Sequence, residues 1–153
     1  MASPALRYGR WSHTGNVYAL TTVTHARRPW FIDKANVELL IEALRTVERT
    51  GRTFSLGWVI MPDHLHWLME LRTGTLAGRM QILKSRSGRS IATRVDANVP
   101  IWQPGYYDHA LRSDECLHTQ ARYIAANPVR AGLATRIAEY PYAWSRWPVS
   151  YTH

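Results

Sequence analysis

His64 and His66 stand one residue apart in the run MPDHLHWLME, residues 61–70. Side chains alternate along an extended strand. Both imidazoles would therefore project from one face with Leu68, while Leu65, Trp67 and Met69 project from the other. Two imidazoles that neighbour each other in this way can take adjacent positions around a divalent cation and leave further positions open, as a catalytic site requires. A pair of polar residues facing solvent has the same spacing, so the motif alone leaves both readings open.

A second group of candidates lies in ARYIAANPVRAGL, residues 121–133. Tyr123 and Asn127 are four apart and share one helical face, and Pro128 disfavours helical geometry at Asn127, where the helix is expected to end with its amide free. A helix lying across a sheet could then deliver a phenol and an amide oxygen to the two histidines. Half-buried packing for Tyr123 and simple helix termination at Asn127 is the alternative.

The elements that would position these groups follow from periodicity and punctuation. Residues 16–25, NVYALTTVTH, read as a strand. Asp33 is a natural N-cap; Val37, Leu40, Ile41, Leu44 and Val47 follow helical spacing, and Gly51 stands where a C-cap glycine belongs. TFSLGWVIM and HLHWLMEL form two short strands around a Pro62-Asp63 turn, and so short a connection makes them antiparallel. A second helix runs from Thr75 to about Arg94, with Leu76, Met80, Leu83 and Ile91 on one side and Arg79, Arg86 and Arg89 on another. Strand composition resumes in IWQPGYYDHAL, broken at Pro104-Gly105. Ser113 can cap a third helix, and the tail EYPYAWSRWPVSYTH is aromatic and broken by proline. This order predicts an α+β fold, a ferredoxin-like (RRM-like) antiparallel sheet with helices packed on one face. One domain over 1–153 is expected, with a basic N-terminal arm (1–15) and an irregular aromatic tail (136–153).

Composition narrows the partners. The 153 residues carry 19 Lys plus Arg against 11 Asp plus Glu, a formal charge of +8 with a pI near 10.1. That balance favours polyanions, nucleic acid first. Only Lys34 and Lys84 are lysines, and the arginine fork suits bidentate phosphate or guanine contacts. The 7 Trp and 8 Tyr offer stacking platforms for unpaired bases, although core packing accounts for most aromatics in any domain. Cys116 alone provides neither an intrachain disulfide nor a thiolate cluster. No stretch reaches the ~20 apolar residues of a membrane helix, and a cytoplasmic, nucleoid-associated protein is expected.

MPDHLHWLM, WQPGYYDHALRSDE and ARYIAANPVRAGL together resemble the single-tyrosine HUH transposases, in particular the REP-associated tyrosine transposase branch, over nearly the whole chain from Tyr18 to Trp144. The resemblance implies His64 and His66 as a metal-binding pair, Asn127 as a polar third ligand, and Tyr123 as the nucleophile. It implies Mg²⁺ or Mn²⁺, a single-stranded DNA substrate folded into a hairpin, and a 5′-phosphotyrosine intermediate with a free 3′ hydroxyl. Chemistry agrees: a phenol with a pKa of about 10 is a weak nucleophile near neutral pH without a cation. An imidazole and amide set suits Mn²⁺ better than Mg²⁺.

Arg7 and Arg10, in the arm where the family reads a short flanking tetranucleotide, are candidate DNA contacts. Arg79, Arg86 and Arg89 could follow a phosphate backbone, and Asp108 and His109 match family residues that support the site or touch DNA. Tyr106 and Tyr107 are runner-up nucleophiles. A monomer is expected, with a homodimer the alternative. A domesticated protein that binds DNA hairpins without cutting them fits the same charge and aromatics. A histidine-triad nucleotide hydrolase would need a third histidine where Leu68 stands, and the K/R-G-F/Y signature of an RRM is absent.

Overall fold

The computed structural model describes residues 6–7, 15–112 and 117–147. Six strands form one sheet in the order β1-β5-β2-β4-β3-β6, and every neighbouring pair is antiparallel. The strands are β1 (Leu6–Arg7), β2 (Val17–Val23), β3 (Thr53–Met61), β4 (His64–Leu71), β5 (Tyr106–Ala110) and β6 (Ala143–Ser145). Helices α1 (Lys34–Arg49) and α2 (Leu76–Val95) connect them, followed by α3 (Leu117–Ala125) and the single turn α4 (Asn127–Arg130). The crossover from β2 through α1 to β3 leaves a gap that β4 fills, and β5 returns to the free side of β2. This is the split βαβ, ferredoxin-like arrangement.

Local chemistry sets the boundaries. The Asp33 side chain accepts from the Ala35 N–H at 3.0 Å to start α1, and Gly51, at φ 74°, leaves the helix in a left-handed conformation that other residues adopt at a cost. The Thr75 hydroxyl accepts from the Gly78 N–H at 3.0 Å to start α2. The proposed cap at Ser113 lies outside the described residues.

Alternation divides the sheet into two faces. Leu65, Trp67, Met69 and Leu71 of β4 join Leu40 and Leu44 of α1 and Met80, Leu83 and Ile91 of α2 in the main core. Trp67 is fully buried and donates its indole N–H to the Ser55 hydroxyl at 2.9 Å. Leu68 faces the other way, with Leu56, Val59 and Met61 of β3, and meets Ala121 and Ile124 of α3. Thus α1 and α2 share one face, and α3 adds a cover over part of the opposite one. A β-bulge between Ser55 and Gly57 shifts the register of β3 against β4 by one residue. The tail contributes β6, paired with the outer edge of β3. Among the described residues no helix is long and apolar enough to cross a membrane.

Lys84 fastens α2 to the approach into β5: its ammonium donates to the carbonyls of Gln103, at 2.7 Å, and Gly105, while burial pushes its pKa down to about 8. Lys84→Met keeps the stem and removes both bonds, so urea unfolding should show a loss of about 1–3 kcal/mol with an unchanged m value.

Candidate metal and nucleophile site

Antiparallel pairing sets Thr21 and Val59 on either side of His66, and Val23 and Met61 on either side of His64. Both imidazoles lie on the sheet face that carries α3. Their Nε2 atoms are 3.1 Å apart and their rings stand 88° from one another. The opposite ring nitrogens are each held. Nδ1 of His64 lies 2.7 Å from Oδ1 of Asp63; a carboxylate only accepts, so Nδ1 carries the proton and a neutral His64 leaves its Nε2 lone pair free. Nδ1 of His66 lies 3.0 Å from the Thr21 hydroxyl.

Asp63 is itself oriented by Arg27, whose guanidinium donates to Oδ2 at 3.1 Å. Burial raises the Asp63 pKa, but the bonds from His64 and Arg27 and their charges outweigh it, and the carboxyl ends below its ordinary value. Burial, then the charges of His64 and Arg130, push His66 down to about 3. His66 is therefore neutral at physiological pH, the state in which an imidazole can ligate a cation.

Two imidazole nitrogens bound side by side on one cation at about 2.1 Å lie about 3 Å apart, which is the separation of this pair. The anchored far nitrogens supply the outer support that metal-binding histidines ordinarily have. Among the described residues no group of three His, Cys, Asp or Glu could hold a metal ion. The Asn127 amide oxygen is a neutral donor with the right chemistry for a hard cation.

Asn127 and Tyr123 are joined through Arg130. Its guanidinium donates to Oδ1 of Asn127 and, at 2.8 Å, to the Tyr123 carbonyl, and it lies 4.1 Å from the centre of the Tyr123 ring. The charge of Arg130 also contributes to the depressed pKa of His66. The helix α3 ends at Ala125, just before Asn127 as Pro128 leads one to expect, and a separate single turn, α4, carries Pro128 in its first turn where a missing N–H costs nothing. One expectation changes here. The Asn127 amide oxygen is engaged by Arg130 rather than free. Ala121 and Ile124 bury the inner side of α3, and Tyr123 is 63% exposed.

Other candidates separate by face. His109 pairs across from Ala19 on the face of the histidine pair, whereas Asp108 pairs with Leu20 and is buried on the α1 and α2 face. A strand turns consecutive residues to opposite sides, so the buried Asp108 faces away from His109 and the histidine pair, which leaves it inside the domain rather than on a surface that DNA could touch. The same rule divides the runner-up tyrosines: Tyr106 is buried in the main core, and Tyr107 lies on the site face beside Thr21. Arg79, Arg86 and Arg89 belong to α2, behind the sheet, and are not brought to the histidines; Arg86 and Arg89 are exposed. Arg7 pairs with Tyr106 at the sheet edge, and Arg10 lies outside the described residues. Sequence reasoning passed over Thr21, Asp63 as a histidine anchor, and Arg130. Only Arg130, three residues after Asn127, had a local signal in helical spacing.

Residues 12–127 match the family model described as "Transposase IS200 like". A REP-associated tyrosine transposase of Escherichia coli (strain K12) is 25% identical over 139 residues, covering 89% of this chain and 80% of that protein. A solved structure of a REP-associated tyrosine transposase bound to a REP hairpin superposes with a TM-score of 0.74 at 24% identity, over 90% of this chain and 81% of that one, which establishes the shared fold. With a family model spanning most of its length, the chain belongs to the IS200-like transposase family and within it resembles the REP-associated tyrosine transposases.

Proposed function

We propose that this transposase-family chain is a metal-dependent endonuclease and strand transferase acting on single-stranded DNA next to a hairpin, with Tyr123 as the nucleophile. The observation that carries the reading is a coincidence of faces within one chain: paired imidazoles with converging Nε2 atoms share a sheet face with the helix that bears Tyr123. In this reading His64 and His66 hold a divalent ion, Mg²⁺ or Mn²⁺, through Nε2, and Asn127 offers its amide oxygen. The bound ion supplies positive charge that eases phenol ionisation and offsets charge building on the scissile phosphate.

The residues of the chain divide the remaining work. Tyr123 gives up its phenolic proton and its oxygen attacks phosphorus; the new oxygen–phosphorus bond forms as the bond to the 3′ oxygen breaks, and that oxygen leaves as a 3′ hydroxyl. The phosphodiester energy stays in a 5′-phosphotyrosine bond, so a 3′ hydroxyl can rejoin the strand by reversal without a nucleotide cofactor. Asp63 and Thr21 hold the imidazoles, and Arg130 aligns Tyr123 with Asn127 by touching both.

A second reading, a hairpin-binding protein that no longer cuts, draws support from one contact: the Asn127 oxygen is already taken by Arg130. Incubation with hairpin-bearing single strands and Mn²⁺ or Mg²⁺ separates the two. Denaturing gels should show a nicked strand and a covalent protein-DNA band that vanish in Tyr123→Phe; undiminished cutting by that variant would remove Tyr123 from the nucleophile role, and a parent chain that binds but never cuts would favour the second reading.

Arg130→Met should lower the cleavage rate by about 10- to 100-fold, the scale set by losing a group that orients a catalytic residue, with DNA affinity nearly unchanged. Arg130→Lys should recover little, because one ammonium cannot reproduce the two bonds and the stacked plane.

The neutral His66 also sets an acid limit on folding. Its pKa is about 3 folded and about 6.5 unfolded, so the unfolded chain binds the extra proton between those values and stability falls as pH drops through that window. Thermal melts without metal should show Tm declining from pH 7 to pH 4, and His66→Gln should flatten the slope.

A further inference from the structure

On the sheet face away from the histidines, a cavity of about 560 Å³ opens between the end of α1, β3 and β6. Trp58 and Trp144 line one side, paired directly across the β3 and β6 strands, with ring centres 6.3 Å apart and planes 33° from parallel. Arg45 and Arg49, one helical turn apart in α1, form the opposite rim and are exposed, Arg49 donating to Oε2 of Glu42 at 2.8 Å and to the Thr46 hydroxyl at 3.0 Å, bonds that a phosphate would exchange for its own. Glu48 also lines the cavity, but its charge is turned inward: Oε1 accepts from the Ser55 N–H at 2.7 Å, and Oε2 lies 3.7 Å from Arg146. Arg146 is tied to the Ser55 carbonyl at 3.0 Å and lies over two rings, 3.9 Å from the centre of Phe54 and 5.3 Å from that of Trp144, where it adds a cation beside the indole. Trp144 remains 39% exposed.

We propose that this cavity receives an unpaired nucleobase of single-stranded DNA, stacked on Trp144, while Arg45 and Arg49 hold the adjoining phosphates. Indole faces stack on any base, and guanidinium groups beside them follow a backbone, the combination found where single strands are gripped with little sequence preference. Both halves are needed: a purely apolar partner would not call for the arginine rim, and a double helix keeps its bases away from indoles. The +8 charge of the chain favours a polyanion, and the indole pair favours one that carries bases to stack. The inference rests on the DNA-binding part of the proposed function and not on cleavage. It places a second grip on the single strand behind the sheet, outside the candidate cutting face.

The test compares a labelled hairpin oligonucleotide with the same hairpin carrying a single-stranded extension, bound to the full chain by anisotropy in EDTA so that no metal-dependent cutting intervenes. Trp144→Ala should weaken binding of the extended oligonucleotide on the order of tenfold and leave the bare hairpin unchanged; Trp144→Tyr should keep most of the affinity. Arg45→Gln with Arg49→Gln, both at exposed positions, should reduce the slope of log affinity against log salt by about one unit for the extended oligonucleotide alone. Parent-like binding of the extended oligonucleotide by the arginine variant and by Trp144→Ala, as expected if the cavity serves a protein partner, overturns the proposal. So does equal weakening on both oligonucleotides, which marks a general loss. If the parent binds neither, the hairpin-DNA reading falls and this one falls with it.

Discussion

Everything at the candidate site depends on how β2 and β4 are paired. Thr21 faces His66 and Val23 faces His64 across an antiparallel ladder, and strand side chains repeat every second residue, so a slip of one position would carry both imidazoles into the core with Leu65 and Trp67 driven outward. Trp67 and its neighbours resist that slip because they are buried without residual exposure. The main core therefore aims the histidines: apolar burial on one side of β4 fixes polar chemistry on the other.

Given that aim, the electrostatics form a gradient across the site. Arg27, Asp63 and His64 make a chain of hydrogen bonds at one end. His66, more enclosed and supported only by a hydroxyl, is the ring that burial keeps neutral. Arg130 brings positive charge from the helical side and joins the tyrosine to the asparagine. The site thus holds cationic and neutral donors around a place where anionic phosphate is expected, and its one carboxylate is turned toward its own arginine.

Much of this could be read from the sequence because it is local. Asp33, Gly51 and Thr75 mark helix ends through hydrogen bonds that span only a few residues, and the MPDH turn forces β3 and β4 together. The facing of His64 and His66 follows from a period of two. What could not be read is what depends on register between distant segments. Thr21 meets His66 across 45 residues, and no spacing rule links them. The separation of Asp108 from His109 needed the sheet's orientation. The small strands β1 and β6 carry too few residues to show a period, and α4 was hidden because Pro128, which reads as a stop, also suits a first helical turn.

Gly57 links the bulge to the rim of the sheet. A Cβ there would come within 3.2 Å of the Trp144 carbonyl, so close that β6 would have to shift by a few tenths of an ångström. With β6 in place, Gly57, Trp58 and Val59 of the long β3 are paired on their outer side, and among the described residues the outermost strands are β1 and the three residues of β6. Backbone paired in this way is not open to a strand from a neighbouring molecule. The absence of a side chain at one position thereby lets the tail close the middle of an edge that would otherwise be open to another strand.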